Sequence, residues 1–276
     1  MLPKVNKKLF LINLVIVFGL IYGTVVLDVQ QLQKEVAKRV NAQVVLGGTE
    51  GMELNIHTVG DKAPWTIGSQ SGLTAINQAL DVYPTAFLKT YGPNILLSNT
   101  LTLRGIPIGG TVVAQIPKGW VILESHYFFS TVESVRQAFH HEFSSILIEI
   151  APFPHSEWNA VLPKDFNYPP RTNEAMHKSL LELRENRPSE DEMPAIYAQG
   201  FVTPYGMTNE ENDINTYAEF LLDAPDELAK LAAQYPRIAK KAALLKDFYL
   251  SLDPGFKNSP FAKYDYASLA ARKNGL

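Results

Sequence analysis

The sequence predicts an α+β fold, in which a small, mostly antiparallel sheet packs on one helix and a mainly helical part follows. Residues 72–92 place apolar side chains at helical spacing. Residues 94–124 are rich in β-branched side chains and are punctuated by glycine and proline turns, which is typical of short strands. Helical patterns then dominate residues 134–252. A helix, a small sheet and then several helices are typical of the α+β class.

The first predicted element is a transmembrane helix that acts as a signal anchor, residues 9–27. Asn13 and Thr24 interrupt an otherwise apolar run. As a helix this run would span roughly 28 Å, close to the thickness of the hydrocarbon core of a bilayer. Three lysines precede it, so the positive-inside rule predicts a cytoplasmic tail, residues 1–8, with the remainder outside. A cleaved signal peptide is the alternative, but the run is long and no Ala-x-Ala-like site follows.

The segment after the anchor, residues 28–43, has helical character, with Val29 and Val36 among the apolar residues on one stripe. It is predicted to continue the anchor as a juxtamembrane stalk. The globular part is therefore predicted to cover residues 44–276 as one extracytoplasmic domain.

Composition excludes several classes of function. The chain has 276 residues and a formal net charge of −3, which gives no reason to expect nucleic acid as a partner. It contains no cysteine. This excludes disulfides, cysteine-based metal sites, a thiol nucleophile and a lipid attached to an N-terminal cysteine.

Turn and cap signals divide the globular part into elements. Pro84 interrupts residues 72–92, which predicts one helix or two short helices that meet there. Strands are predicted within residues 94–105 and 110–125, followed by a helix over residues 134–150. Five prolines predict that residues 151–170 form a loop.

The C-terminal part is predicted to be helical. Thr208 and Glu211 stand three residues apart, as in a capping box, and predict the start of a helix that runs to about Asp223. Two more helical patterns follow, within residues 225–235 and 237–252.

The helix at residues 134–150 carries part of a zinc-protease signature. In the motif His-Glu-x-x-His, two histidines on one helical face bind Zn²⁺ and the glutamate activates a bound water. His141 and Glu142 match this pattern, but Ser145 stands where the second histidine is required. His140 cannot replace it, because neighbouring helical positions point about 100° apart. Histidines on helices are more often structural than ligands, so the triplet alone is a weak signal.

Two further stretches carry a family resemblance. Residues 205–210 read Tyr-Gly-Met-Thr-Asn-Glu, and residues 216–219 read Thr-Tyr-Ala-Glu. Together with the His-Glu pair, they resemble the gluzincin metallopeptidases, a group of zinc-binding peptidases related to the catalytic domain of anthrax lethal factor. The resemblance covers roughly residues 72–252 and implies a zincin-like domain.

The resemblance implies a role for each matching residue. His141 would be the first zinc ligand, Glu142 the general base, and Tyr205 a hydrogen-bond donor to the oxyanion. Asn215 occupies the position of the glutamate ligand, and Glu219, one turn further on, would support the site.

Two of the three ligand positions are therefore degenerate, because serine and asparagine are poor zinc donors. Glu219 is a tentative replacement ligand, since it lies on nearly the same helical face as Asn215. A pair made of His141 and Glu219 would bind zinc weakly, and carboxylates and waters also suit harder ions.

The sequence supports three hypotheses. The first is a pseudo-peptidase, a degenerate gluzincin that keeps a peptide-binding cleft outside the membrane. The second is an active metal-dependent peptidase with an altered ligand set, in which Glu142 is the base and Tyr205 stabilises the oxyanion. The third is an unrelated anchored domain with a chance resemblance. The expected partners are a peptide or protein and, through residues 9–27, the lipid bilayer.

Overall fold

Helices make up most of the described part of the protein. The computed structural model describes residues 7–50, 58–60, 67–113, 118–126, 130–170 and 172–271. The helices within these ranges are α1 Lys7–Val40, α2 Ile67–Ala79, α3 Thr85–Tyr91, α4 Val132–Ile150, α5 His155–Asn159, α6 Asn173–Glu185, α7 Met193–Gln199, α8 Glu210–Asp223, α9 Pro225–Gln234, α10 Pro236–Leu252 and α11 Tyr266–Ala271. The strands are β1 Val44–Leu46, β2 Thr58–Gly60, β3 Asn94–Ser98, β4 Leu101–Leu103, β5 Ile106–Pro107, β6 Gly110–Val113 and β7 Trp120–Glu124. The predicted α+β class is confirmed.

The sheet that packs on α4 is mixed, and the prediction of a mostly antiparallel sheet is wrong for it. Its strand order is β1-β3-β7-β6. β3 pairs in parallel with both β1 and β7, and β6 alone is antiparallel. The parallel pairing of β1 and β3 is made possible by α2 and α3, which carry the chain back across the sheet. A second sheet, β2-β4-β5, is antiparallel throughout.

The two faces of β3 and β7 pack in different directions. Ile95, Leu97, Val121 and Leu123 point into the main core beneath the helices. Leu96 and Ile122 point to the opposite face and pack with Leu101 in a smaller cluster. This alternation follows from the two-residue period of a strand, and it fixes the register that carries β6 to the edge of the sheet.

The helical prediction at Pro84 is confirmed in its two-helix form. α2 passes into a short 3₁₀ turn, Leu80–Val82, and Pro84 then stands at the N-cap of α3. Proline fits this position because it lacks the backbone N–H that an interior helical residue must donate.

The segment predicted as a stalk is built into the core. Val29, Val36 and Val40 are fully buried. Arg39 donates from Nη1 to Asn77 and forms an ion pair with Asp81, both of which belong to the helical segment that follows β2. The C-terminal half of α1 is thus part of the folded unit, although the sequence pattern placed its boundary at residue 44.

Most of the predicted anchor, residues 9–22, has side chains that lie outside the described part of the chain. α1 runs through this stretch without a break. Among the residues that the structure describes, no helix is both long enough and apolar enough to cross a membrane.

The predicted loop at residues 151–170 contains a short helix, α5. Its Trp158 is fully buried and donates from Nε1 to Asp213 Oδ2 over 2.9 Å. The five prolines correctly predict the ends of this segment, but they do not indicate the short helix α5 that brings Trp158 into the core.

Candidate functional site

The site is formed where α4 and α8 pack against each other beneath β6. α4 begins at a capping box in which the Thr131 side chain accepts from Ser134 N, and the Ser134 side chain accepts from Thr131 N. Reciprocal caps of this kind satisfy two backbone donors and fix where a helix starts. The cap thereby sets the faces on which the residues of the His-Glu motif lie.

His140 points away from the site and belongs to the core. Its Nδ1 lies 2.9 Å from Tyr83 Oη, and the side chain is buried. Burial, with the nearby charge of Arg136, lowers the pKa of His140 to about 3, so the ring is neutral at physiological pH. His140 is therefore a structural histidine, as the helical geometry predicts.

α8 begins one residue later than the sequence pattern indicates. A 3₁₀ turn, Pro204–Thr208, precedes it, and Asn209 is the N-cap, whose side chain accepts from Asn212 N over 2.8 Å. The Thr208 hydroxyl instead donates to the Tyr205 carbonyl oxygen over 2.7 Å. The predicted capping box at Thr208 is therefore wrong, because the threonine closes the turn that carries Tyr205.

Ser145 and Asn215, the two degenerate positions, are in direct contact. Asn215 Nδ2 donates to Ser145 Oγ over 2.6 Å. Ser145 is 6% exposed and Asn215 is 1% exposed, so this hydrogen bond is screened from water. Short, buried polar contacts are costly to leave unmade. The two replacements are therefore joined by a hydrogen bond across the interface between α4 and α8.

His141 contacts Glu219, which lies on α8 one helical turn after Asn215. Its Nδ1 lies 2.6 Å from Glu219 Oε1. Burial alone would lower the pKa of His141, but the hydrogen bond and charge of Glu219, together with the charges of Glu142 and Glu211, raise it to about 9. Glu219 thus contacts the His141 ring at Nδ1, as a supporting carboxylate does in metal sites.

Glu142 lies between α4 and the edge strand β6. A Cβ atom added to Gly110 would lie 2.7 Å from Glu142 Cγ and 2.8 Å from its Oε1. Burial raises the pKa of Glu142, His141 opposes the shift, and the charges of Glu211 and Glu219 add to it, giving about 7. A carboxyl with a pKa near neutrality can both accept and donate a proton at physiological pH.

Tyr205 completes the group. Its ring lies 5.6 Å from that of His141, centroid to centroid. Burial and the charges of Glu142, Glu219 and Glu211 raise its pKa, so the side chain is a neutral hydroxyl. It is therefore able to donate a hydrogen bond.

A negatively charged cavity of about 140 Å³ adjoins the site at Ser145. Glu149, Glu210 and Glu211 line it, with His155 beside them. His155 Nδ1 lies 3.0 Å from Glu210 Oε1. Glu211 is predicted from the sequence only as part of a capping box, yet its charge acts on His141, Glu142 and Tyr205 alike. Its place in the first turn of α8, two helical turns before Glu219, is the signal that could have found it.

Asp213 is turned into the core, as its spacing from Asn215 predicts. Its Oδ2 accepts from Lys241 Nζ over 2.5 Å, from Tyr168 over 2.7 Å and from Trp158. Lys241 also donates to the carbonyl oxygen of Gly200, which adopts a left-handed conformation with φ +91° at the end of α7. This network fixes the rear face of α8 and so the face that carries Asn215 and Glu219.

The donor set of the site does not fit zinc. The three ligand positions that the resemblance implies offer one imidazole nitrogen, a serine hydroxyl and an asparagine amide, and the last two are bonded to each other. Structural and catalytic zinc sites use at least three nitrogen, thiolate or carboxylate donors from the protein. Across the described ranges, no group of three or more His, Asp or Glu residues is arranged to hold a metal ion.

Comparison with known proteins shows the fold. No family model matches the chain, and no curated protein matches it. It is similar to the crystal structure of a "putative zinc-binding metallo-peptidase" from Bacteroides caccae, with a TM-score of 0.54 and 16% sequence identity. The match covers 89% of this chain and 90% of that one. The fold is therefore metallopeptidase-like over nearly the whole chain.

Proposed function

We propose that the protein is a pseudo-peptidase: a degenerate gluzincin that keeps the peptide-binding cleft of a metallopeptidase and has lost the metal site. The hydrogen bond between Asn215 and Ser145 carries this proposal. These two positions are where the resemblance requires metal ligands, and here they are hydrogen-bonded to each other. The proposal is supported by the packing of β6 on α4 and of the turn that carries Tyr205 on α8, since these elements would border the cleft.

The ligand is an extended peptide bound along β6. Among the strands that the structure describes, this one ends the sheet order and pairs with β7 on one side. The other side offers backbone donors and acceptors to an added strand, which is how sheet edges recognise peptides. Gly110 brings the backbone of β6 close to Glu142, so a bound peptide would run directly over the site.

The charge of the cavity that adjoins the site at Ser145 would select among peptides. Glu149, Glu210 and Glu211 line the cavity next to Ser145, and none of its lining residues is a lysine or arginine. A basic side chain of the peptide would be attracted to this cavity, whereas an acidic one would be repelled.

The location proposed for this cleft is outside the membrane. The apolar run at residues 9–27 would anchor the chain in the bilayer, with residues 1–8 in the cytoplasm and the folded domain on the other side.

A second candidate function is peptide hydrolysis with an altered ligand set. The observation that favours it is the pKa of Glu142, about 7, in a site where Tyr205 can donate a hydrogen bond. A general base poised near neutrality and an oxyanion donor are the two protein groups that such a reaction needs. Metal chemistry would then depend on His141 and Glu219, which together are a weak donor set.

A peptide library tests both functions. The full chain and a Glu142→Gln variant are assayed for binding and for cleavage of the same peptides, with and without added divalent metal. The pseudo-peptidase predicts that both proteins bind basic peptides equally and that neither cleaves them. Cleavage that requires metal and disappears in Glu142→Gln would establish the second function instead.

A further inference from the structure

We infer that the hydrogen bond between Asn215 and Ser145 takes the place of a metal ion as the cross-link between α4 and α8. The inference rests on the proposed function in that it explains how the cleft keeps its shape without metal. We also infer that this pair excludes zinc, and that replacing both Ser145 and Asn215 with zinc-binding residues creates a zinc site.

The geometry of the interface shows two side-chain cross-links one helical turn apart. His141 contacts Glu219, and Ser145, four residues later, contacts Asn215, four residues earlier. The opposite order of the two pairs means that α4 and α8 run antiparallel here. In a zinc site, a single ion would join these same positions by bonds to both helices.

The distance within the pair leaves no room for an ion. Asn215 Nδ2 and Ser145 Oγ are 2.6 Å apart. Two ligands of a tetrahedral zinc ion, each about 2.1 Å from the metal, are separated by about 3.4 Å. The nitrogen that faces Ser145 is also a donor group without a lone pair for a metal. A metal could enter only after this hydrogen bond had been broken.

The Asn215 carbonyl oxygen shows that the pair is not fully satisfied. Asn215 Oδ1 is buried and has no hydrogen-bond partner among the described residues. A buried acceptor without a partner costs free energy. The hydrogen bond to Ser145 is therefore the one strong contact of the Asn215 amide at this site. If either partner is removed, the other is buried without that hydrogen bond, and the full free-energy cost of its burial lowers the stability of the fold.

A double-mutant cycle tests the cross-link. Ser145→Ala and Asn215→Ala should each lower the melting temperature of the full chain by about 3 °C or more, and the double variant should lose clearly less than the sum of the two. The melting temperature of the unsubstituted protein should be the same in zinc and in chelator. Additive losses, or a melting temperature raised by zinc, would overturn the inference.

Zinc titration of designed variants tests the exclusion of metal. Ser145→His with Asn215→Glu supplies two imidazoles and a carboxylate, and Ser145→His with Asn215→Gln is the matched control without the carboxylate. The first variant should bind one zinc ion at least about 100-fold more tightly than the unsubstituted protein, since the loss of even one supporting partner costs ten- to hundredfold. Zinc at about 100 times the dissociation constant should raise its melting temperature by about 5–10 °C.

The outcomes of the alanine cycle and the zinc titrations can be distinguished from those of the peptide experiment that tests the proposed function. Stoichiometric zinc in the unsubstituted protein, or a folded His/Glu variant that binds zinc no better than the His/Gln control, would contradict the inference. Failure to bind peptides would contradict the proposed function but leave this result unchanged. If the His/Glu variant does not fold, the alanine cycle and the titration of the unsubstituted protein still decide the question.

Discussion

Single residues in this site have environments that their neighbours in sequence do not share. His140 is a neutral core residue bound to Tyr83, whereas the charge of Glu219 favours the protonated form of His141. The helical period predicts this division, and it also predicts that Ser145 shares the face of His141. It does not predict that Asn215 is the partner of Ser145, because that contact joins residues 70 positions apart.

The buried ion pair behind the site gives a prediction at this scale. Lys241→Met removes the cation from Asp213, whose two other donors, Trp158 and Tyr168, are neutral. Breaking a buried pair from one side costs about 3–5 kcal/mol, so chemical denaturation should show a loss of that size. Lys178→Met, which removes an exposed pair with Glu182, is the control and should change stability by less than about 1 kcal/mol. Equal effects would show that the buried pair is not special.

Secondary-structure elements differ in how well the sequence predicts them. α4, α8, α9 and α10 are long and strongly periodic, and all four are predicted. β1 has three residues and finds its place only through parallel pairing with β3, so no local pattern indicates it. For the same reason the parallel character of the main sheet is not predictable from strands read one at a time.

The edge strand β6 gives a prediction about peptide binding. Gly110→Ala should weaken peptide binding by about tenfold or more, because the added Cβ collides with Glu142 and pushes the strand and α4 apart. Gly109→Ala is the matched control, since its Cβ would lie 3.9 Å from Ala138 Cβ, an ordinary contact. Peptide affinity by fluorescence anisotropy compares the two. Equal affinities would show that the peptide does not lie along β6.

At the scale of the whole molecule, one helix joins the predicted anchor to the core without a linker. The sequence indicates a helix after the anchor but cannot show that its apolar stripe packs on α2 and α3 rather than standing apart. A stripe of valines is equally compatible with a stalk and with a core helix. The contacts of Val29, Val36 and Val40 decide the matter.

Truncation provides the corresponding prediction. A chain of residues 28–276 retains the three buried valines, whereas a chain of residues 44–276 lacks them. Since burial of each valine contributes roughly 1.5–3 kcal/mol, the shorter chain should melt at least about 10 °C lower or fail to fold. Circular dichroism against temperature compares the two. Identical melting curves would support the stalk that the sequence pattern suggested.

The proposed peptide-binding cleft has a shape that does not depend on metal. The most direct measurement is the dissociation constant of a basic peptide for the full chain, by calorimetry, in chelator and in saturating zinc. We expect the same dissociation constant, within about twofold, in both conditions, and no cleavage of the peptide in either. Binding or cleavage that appears only with zinc would contradict it.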